Sequence, residues 1–285
     1  MEQRIIDLYD RFTHGSMSRR RFFERLTVLA GGTVAAQAML TLLQNNYALA
    51  ETVPESDSRI STETVSLDGG GTPVSAYLAK PAAAGKHPAV IVIHENRGLN
   101  PHIKDVTRRF ATEGFLAAGV DLLTPLGGTP ADEDKAREMI GTLKPDAVAA
   151  QLKGVVAALR ARPESNGKVG AVGFCWGGGA VNNLAVADPS LDAGVAYYGR
   201  QPAADKVPAI HAPLLLHYAG LDTNINPGIA GYEQALKANG KQYQIYLYEG
   251  ANHAFNNDTN AARYNKEAAT LAWGRTVEFL RKNLG

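Results

Sequence analysis

The chain has 285 residues, of which 45% are hydrophobic, 20% charged and 7% aromatic. That apolar fraction excludes a disordered chain, and 29 Gly with 14 Pro but no Gly-every-third repeat exclude a fibrous one. Lys+Arg 29 against Asp+Glu 28 leaves a net charge of +1, without the basic footprint of a nucleic-acid binder, and the single cysteine, Cys175, excludes an internal disulfide.

The first fifty residues differ in character from the rest. Ser18-Arg19-Arg20-Arg21-Phe22-Phe23 precedes a weakly apolar run from Leu26 to Leu43, and a polar step then leads to Ala48-Leu49-Ala50 before Glu51. That order of charged, apolar and small-x-small regions resembles a twin-arginine export signal and predicts a periplasmic location. The run is bounded by charge and broken by Gly31-Gly32, which makes it a poor membrane span. Ile5, Leu8, Tyr9 and Phe12 form an amphipathic stripe that an export signal does not need. The competing expectation is therefore a helical arm over residues 1–50, retained on a cytoplasmic protein and able to pair two copies as a homodimer.

From about Ser61 the pattern alternates strands and helices. Val65 to Leu67 and Val74 to Leu78 predict a hairpin around Gly69-Gly70-Gly71, and Ala89 to His94 predict a strand buried on both faces. Ile103, Val106 and Phe110 mark a helix closed by Gly114, with a strand over Phe115 to Val120 behind it. Helices follow near Asp132 to Leu143 and over Val148 to Leu159, then a strand over Val169 to Phe174 and a helix from Gly177. Strands over Ala193–Tyr198, Leu214–Tyr218 and Tyr243–Tyr248 and helices over Tyr232–Ala238 and Ala261–Asn283 complete the series. Such alternation predicts one α/β domain over residues 51–285, a mostly parallel sheet with helices on both faces.

The chemistry concentrates in Val169-Gly170-Ala171-Val172-Gly173-Phe174-Cys175-Trp176-Gly177-Gly178. A strand running through Gly-x-Cys-x-Gly into a helix is a nucleophile elbow with cysteine as the nucleophile. A thiol needs a base, and the base needs an orienting acid. His253 lies in a loop after the last strand, and Asp222 just past the preceding one. The order Cys175, Asp222, His253 is the nucleophile–acid–histidine order of α/β-hydrolases, and strand ends of a parallel sheet bring all three to one edge. The other histidines considered read as structural: His94 packed at a strand end, His217 in the core, and His87, His102 and His211 solvated at turns. Asp121 is the runner-up acid and Asp192 a strand cap.

Ile91-Val92-Ile93-His94-Glu95-Asn96-Arg97-Gly98 adds a carboxylate where the loop after a strand supplies an oxyanion-hole amide. Together with Cys175 this resembles the dienelactone hydrolase family, from about Thr64 to Gly285. The resemblance implies an α/β-hydrolase fold and a Glu95 that contacts Cys175 at rest and helps form the thiolate. It implies backbone N–H donors of Asn96 and Trp176 as the oxyanion hole, and Tyr197-Tyr198-Gly199 as a segment near the site. Family members acting on dienelactone hold its carboxylate with arginines, one shortly after the catalytic His. Here Ala254-Phe255-Asn256-Asn257 has none until Arg263, and only Arg137 loosely matches the other. The plain alternative for Glu95 is an ion pair with Arg97 or Arg200.

The expected reaction is hydrolysis of a small-molecule ester or lactone through a cysteine acyl-enzyme, with neither metal nor organic cofactor. His253, oriented by Asp222 and assisted by Glu95, serves the Cys175 thiol, with Tyr198 and Arg137 near the substrate. Two other classes remain open on sequence. One is a peroxide-sensitive thiol protein, against which the missing second cysteine argues. The other is an inactive binding protein on the same fold, against which the four-residue constellation argues.

Overall fold

The computed structural model describes residues 1–15, 17–49 and 51–285. Eight strands form one sheet: β1 (Ile60–Asp68), β2 (Pro73–Pro81), β3 (His87–Ile93), β4 (Leu116–Asp121), β5 (Ser165–Phe174), β6 (Ala193–Tyr197), β7 (Leu214–Ala219) and β8 (Tyr243–Tyr248). Their spatial order is β1-β2-β4-β3-β5-β6-β7-β8. β1, β2 and β4 pair antiparallel, and every pair from β4 through β8 is parallel. The central strands are apolar runs because both faces are covered: Val90 to Ile93 in β3 expose nothing.

Before the sheet come α1 (Gln3–His14), α2 (Arg19–Ala30) and α3 (Thr33–Leu43). Within and around it lie α4 (Pro101–Thr112), α5 (Glu133–Thr142), α6 (Pro145–Arg160), α7 (Trp176–Ala187), α8 (Ile229–Ala238) and α9 (Lys266–Leu284). Leu152, Val155, Val181, Leu184 and Leu236 from α6, α7 and α8 cover one face of the sheet. Ile103, Val106 and Phe110 of α4 and Ala272, Val277 and Leu280 of α9 cover the other. The expected α/β-hydrolase architecture is therefore present.

Element boundaries moved where side chains compete with backbone. The last helix begins at Lys266, not Ala261, because the asparagine-rich stretch before it closes turns. Asn257 and Asn260 carbonyls accept from the Asn260 and Tyr264 amides, and the Asn265 side chain caps the Ala268 amide. His102 is not solvated: it is buried and paired with Asp258 at 3.2 Å.

The arm is folded and docked. Gly31 adopts φ +75° and ends α2, so the apolar run is two helices bent by 113°. Among the described residues no single helix is long and apolar enough to cross a membrane. Ile5, Leu8, Tyr9 and Phe12, the stripe seen in sequence, meet Phe22, Leu26, Ala36, Leu40 and Leu43 in a small core of their own. Each large side chain of this kind contributes about 1.5–3 kcal/mol when buried, so the stripe is satisfied inside one chain. Of the small-x-small segment, Ala50 lies outside the described residues. Polar contacts fix the arm to the body: Asp10 pairs with Arg263 at 2.9 Å, Asn96 donates to the Thr13 carbonyl at 2.8 Å, and Asn260 donates to the Leu43 carbonyl at 2.5 Å.

Asp10 and Arg263 are both buried, and burial raises the Asp10 carboxyl's pKa although the guanidinium beside it pulls the other way. Removing one partner of such a pair leaves an uncompensated buried charge, at about 3–5 kcal/mol. Asp10→Ala is expected to undock α1 while the sheet stays folded. Hydrogen exchange would show faster exchange for α1 amides with β3 and β5 amides unchanged, and full protection of α1 in the variant would contradict the assignment.

Candidate active site

Parallel pairing puts the carboxyl ends of β3, β5, β6, β7 and β8 along one edge of the sheet, and each delivers one residue. Cys175 follows β5 and sits at φ +57°, ψ −116°, a backbone conformation that L residues rarely adopt. Its amide donates to the Tyr197 carbonyl at 3.0 Å, and α7 begins at the next residue. The flanking glycines are required by space. A Cβ on Gly173 would lie 2.1 Å from the Gly177 carbonyl oxygen, and one on Gly177 would lie 2.5 Å from that of His94.

Asp222, after β7, accepts from the Asn224 and Ile225 amides through Oδ1, both at 3.0 Å, and its Oδ2 lies 2.5 Å from His253 Nδ1. Burial raises the Asp222 carboxyl, but the His253 ring and the two amides outweigh it and hold the pKa below the usual carboxylate range. For His253, burial opposes protonation, yet the Cys175 sulfur and the Asp222 carboxylate overcome it and push the imidazole well above its ordinary value. Its Nε2 is buried and, among the described residues, has no hydrogen-bond partner.

The thiol itself is touched by a residue that sequence reasoning missed. Nε2 of His14, the last residue of α1, is 3.0 Å from Cys175 Sγ. The His14 ring meets that of His253 edge-on, with centroids 4.4 Å apart. A ring nitrogen of each imidazole and the sulfur lie within 4.8 Å of one another. By atom type this set is also where a borderline-soft divalent ion could bind, at the cost of the free thiolate. A signal for His14 existed: it stands two residues beyond Phe12, at the end of the apolar stripe.

Glu95 does not contact the sulfur as the family resemblance led us to expect. Asn257 takes its Oε2 at 2.7 Å, its Oε1 is buried without a partner among the described residues, and His14 occupies the hydrogen-bonding side of the thiol. Neither alternative ion pair forms: Arg97 pairs with Glu133 at 2.5 Å, and Arg200 makes no salt bridge among the described residues. Trp176 stacks on His94 at 5.3 Å, which confirms His94 as a packed strand-end residue. Tyr198 is strained at φ +39°, packs 5.0 Å from the His253 ring, and buries a hydroxyl with no partner among the described residues. Arg137 is committed to the arm, donating to the Phe12 carbonyl at 3.1 Å with its guanidinium 4.5 Å from that ring. A cavity of about 740 Å³ opens over Cys175, with His14, Asn96, Arg137, Tyr198 and His253 in its wall.

Residues 74–284 match the dienelactone hydrolase family. The chain belongs to that family and is a dienelactone hydrolase-like hydrolase. Residues 1–31 match a second family, described as YqhI-like. A Saccharolobus solfataricus protein carrying the name carboxymethylenebutenolidase is 32% identical over 75% of this chain and 96% of its own length. A Bradyrhizobium protein named as a 2-oxo-3-(5-oxofuran-2-ylidene)propanoate lactonase is 32% identical over 79% of this chain and 98% of its own. The crystal structure of a Klebsiella pneumoniae protein described as a dienelactone hydrolase superposes with a TM-score of 0.71 at 30% identity, covering 78% of this chain and 99% of the other.

Proposed function

We propose that this hydrolase cleaves ester or lactone bonds of small molecules through an acyl-enzyme on Cys175, with His253 and Asp222 as its acid–base pair. One observation carries the reading: the left-handed elbow sets Cys175 in the wall of the cavity beside an imidazole whose far nitrogen is held by a carboxylate at 2.5 Å. The names of the lactonase and carboxymethylenebutenolidase relatives agree with that bond class.

The sulfur attacks the carbonyl carbon, and the carbonyl π pair moves onto oxygen. Backbone N–H groups of Trp176, the first residue of α7, and of Asn96, beyond β3, stabilise that oxyanion. Collapse expels the alcohol and leaves a thioester. His253, its Nδ1 proton held by Asp222, draws a proton from water, the water attacks the thioester, and the acid leaves with the thiol restored. Amide adducts would expel the better leaving group, the thiolate, and revert. The Tyr198 hydroxyl is a donor for the bound substrate. A cavity of about 740 Å³ suits a small organic ligand.

The charges favour a neutral substrate. Arg263 lines a separate cleft of about 10 Å³ that also touches Cys175 and His253, and Asp10 already neutralises it. Arg137 is spent on Phe12 and on Asp134, 3.7 Å away, which leaves Arg200 as the cavity arginine without a carboxylate among the described residues. We infer that residues 1–50 are a retained arm and not an export signal, since α1 supplies cavity wall and the thiol's neighbour.

Cys175→Ala is expected to lose hydrolysis of a nitrophenyl ester by several orders of magnitude with thermal stability near wild type; more than a few per cent of residual kcat/KM would sink the nucleophile assignment. Matched neutral and anionic lactones should differ less than tenfold in kcat/KM at low salt. A hundredfold preference for the anion would instead place a substrate carboxylate on Arg200. Intact mass of the protein from its native host should show a start at residue 1 or 2; a chain beginning at Glu51 would restore the export signal.

A further inference from the structure

The proposed mechanism leaves open which group takes the thiol proton, and the two imidazoles around Cys175 are not equivalent. His14 Nδ1 lies 2.9 Å from the Asp10 carbonyl oxygen, which can only accept, so Nδ1 carries the ring proton and Nε2 presents its lone pair. That lone pair is 3.0 Å from Sγ, within reach of the S–H proton. His253 Nε2, by contrast, makes no hydrogen bond among the described residues. His14 also closes α1, where the helix's unpaired carbonyls favour a cation once it is protonated.

We propose that His14 is a catalytic residue: the base for Cys175 in acylation, leaving the His253–Asp222 pair to run deacylation. The S–H proton moves to His14 Nε2 as the sulfur bonds to the carbonyl carbon. When the tetrahedral adduct collapses, the C–O bond breaks and the same proton passes from His14 to the departing alkoxide. His253 then takes a proton from water and returns it to the sulfur as the thioester breaks, so each half-reaction gives back the proton it borrowed. In this division of labour His14 fills the place at the sulfur that the family resemblance gave to Glu95.

The inference rests on the Cys175 acyl-enzyme, and the test separates the two. Full-length wild type, His14→Ala, His14→Gln, His253→Ala and Cys175→Ala are compared in rapid-mixing assays with a nitrophenyl ester, with Cys175→Ala giving the background. A Cys175→Ala that still turns over would overturn the acyl-enzyme itself. With Cys175→Ala inactive, both His14 variants should lose the acylation burst by a hundredfold or more, the range of a general base. Free imidazole should restore part of the burst in His14→Ala and none in His14→Gln, whose side chain still fills the site. His253→Ala should keep a burst and accumulate a thioester on Cys175, visible as added acyl mass. A burst within threefold of wild type in either His14 variant overturns the proposal. So does a slow burst that imidazole cannot rescue, which marks a structural role, or a His253→Ala enzyme that never acylates.

Discussion

The site depends first on a steric constraint, the absence of a Cβ at Gly173 and Gly177, two residues before and two after Cys175. With the Gly177 carbonyl 2.1 Å from where a Gly173 side chain would begin, β5 can turn into α7 in a single residue. That residue must then accept a left-handed backbone, at about 1–3 kcal/mol, held in place by the buried strand before it and the helix after it. The parallel register of β7 and β8 carries the loops of Asp222 and His253 to the same edge, where Ala254, directly after His253, also takes a positive φ of +65°.

The second support is the arm, which is bound by apolar burial and by an ion pair of a costly kind. A buried Asp–Arg pair contributes little net stability compared with apolar residues of similar size, because both charges lose their water. Its use here is positional. Asp10 is one helical turn before His14, and its carbonyl orients the imidazole while its carboxylate anchors the helix on Arg263. One residue thus couples docking of α1 to the aim of the ring that touches the Cys175 sulfur.

Much of this was legible in sequence, and what was not has a common cause. The strands read correctly because both faces are buried and the signal is the run itself, as in Val90 to Ile93. Cys175, Asp222 and His253 were legible because a nucleophile elbow and strand-end loops are local patterns, and the topology then brings them together. His14, the occupation of Arg263 by Asp10 and the capture of Glu95 by Asn257 join residues 161, 253 and 162 positions apart, and no local pattern reports a contact of that range. The amphipathic stripe of α1 announced that the helix docks, but not on what. Asn265 was read inside the last helix because period alone does not register the bond of its side chain to the Ala268 amide.

The arm also bears on the proposed preference for a neutral substrate. A family member that grips an anionic lactone needs an uncompensated cation beside the nucleophile, and an uncompensated buried guanidinium is costly in the empty enzyme. Here a cation survives near Cys175 as Arg263, in the wall of a separate small cleft, but its partner is the protein's own carboxylate, Asp10, supplied by the same helix that brings His14. The charge is satisfied before any substrate arrives. An incoming carboxylate would have to displace Asp10, and with it the docking of α1 and the imidazole on the sulfur. An anion bound at Arg263 would therefore disassemble part of the site that is meant to act on it, whereas a neutral ester or lactone can enter the cavity with the arm in place.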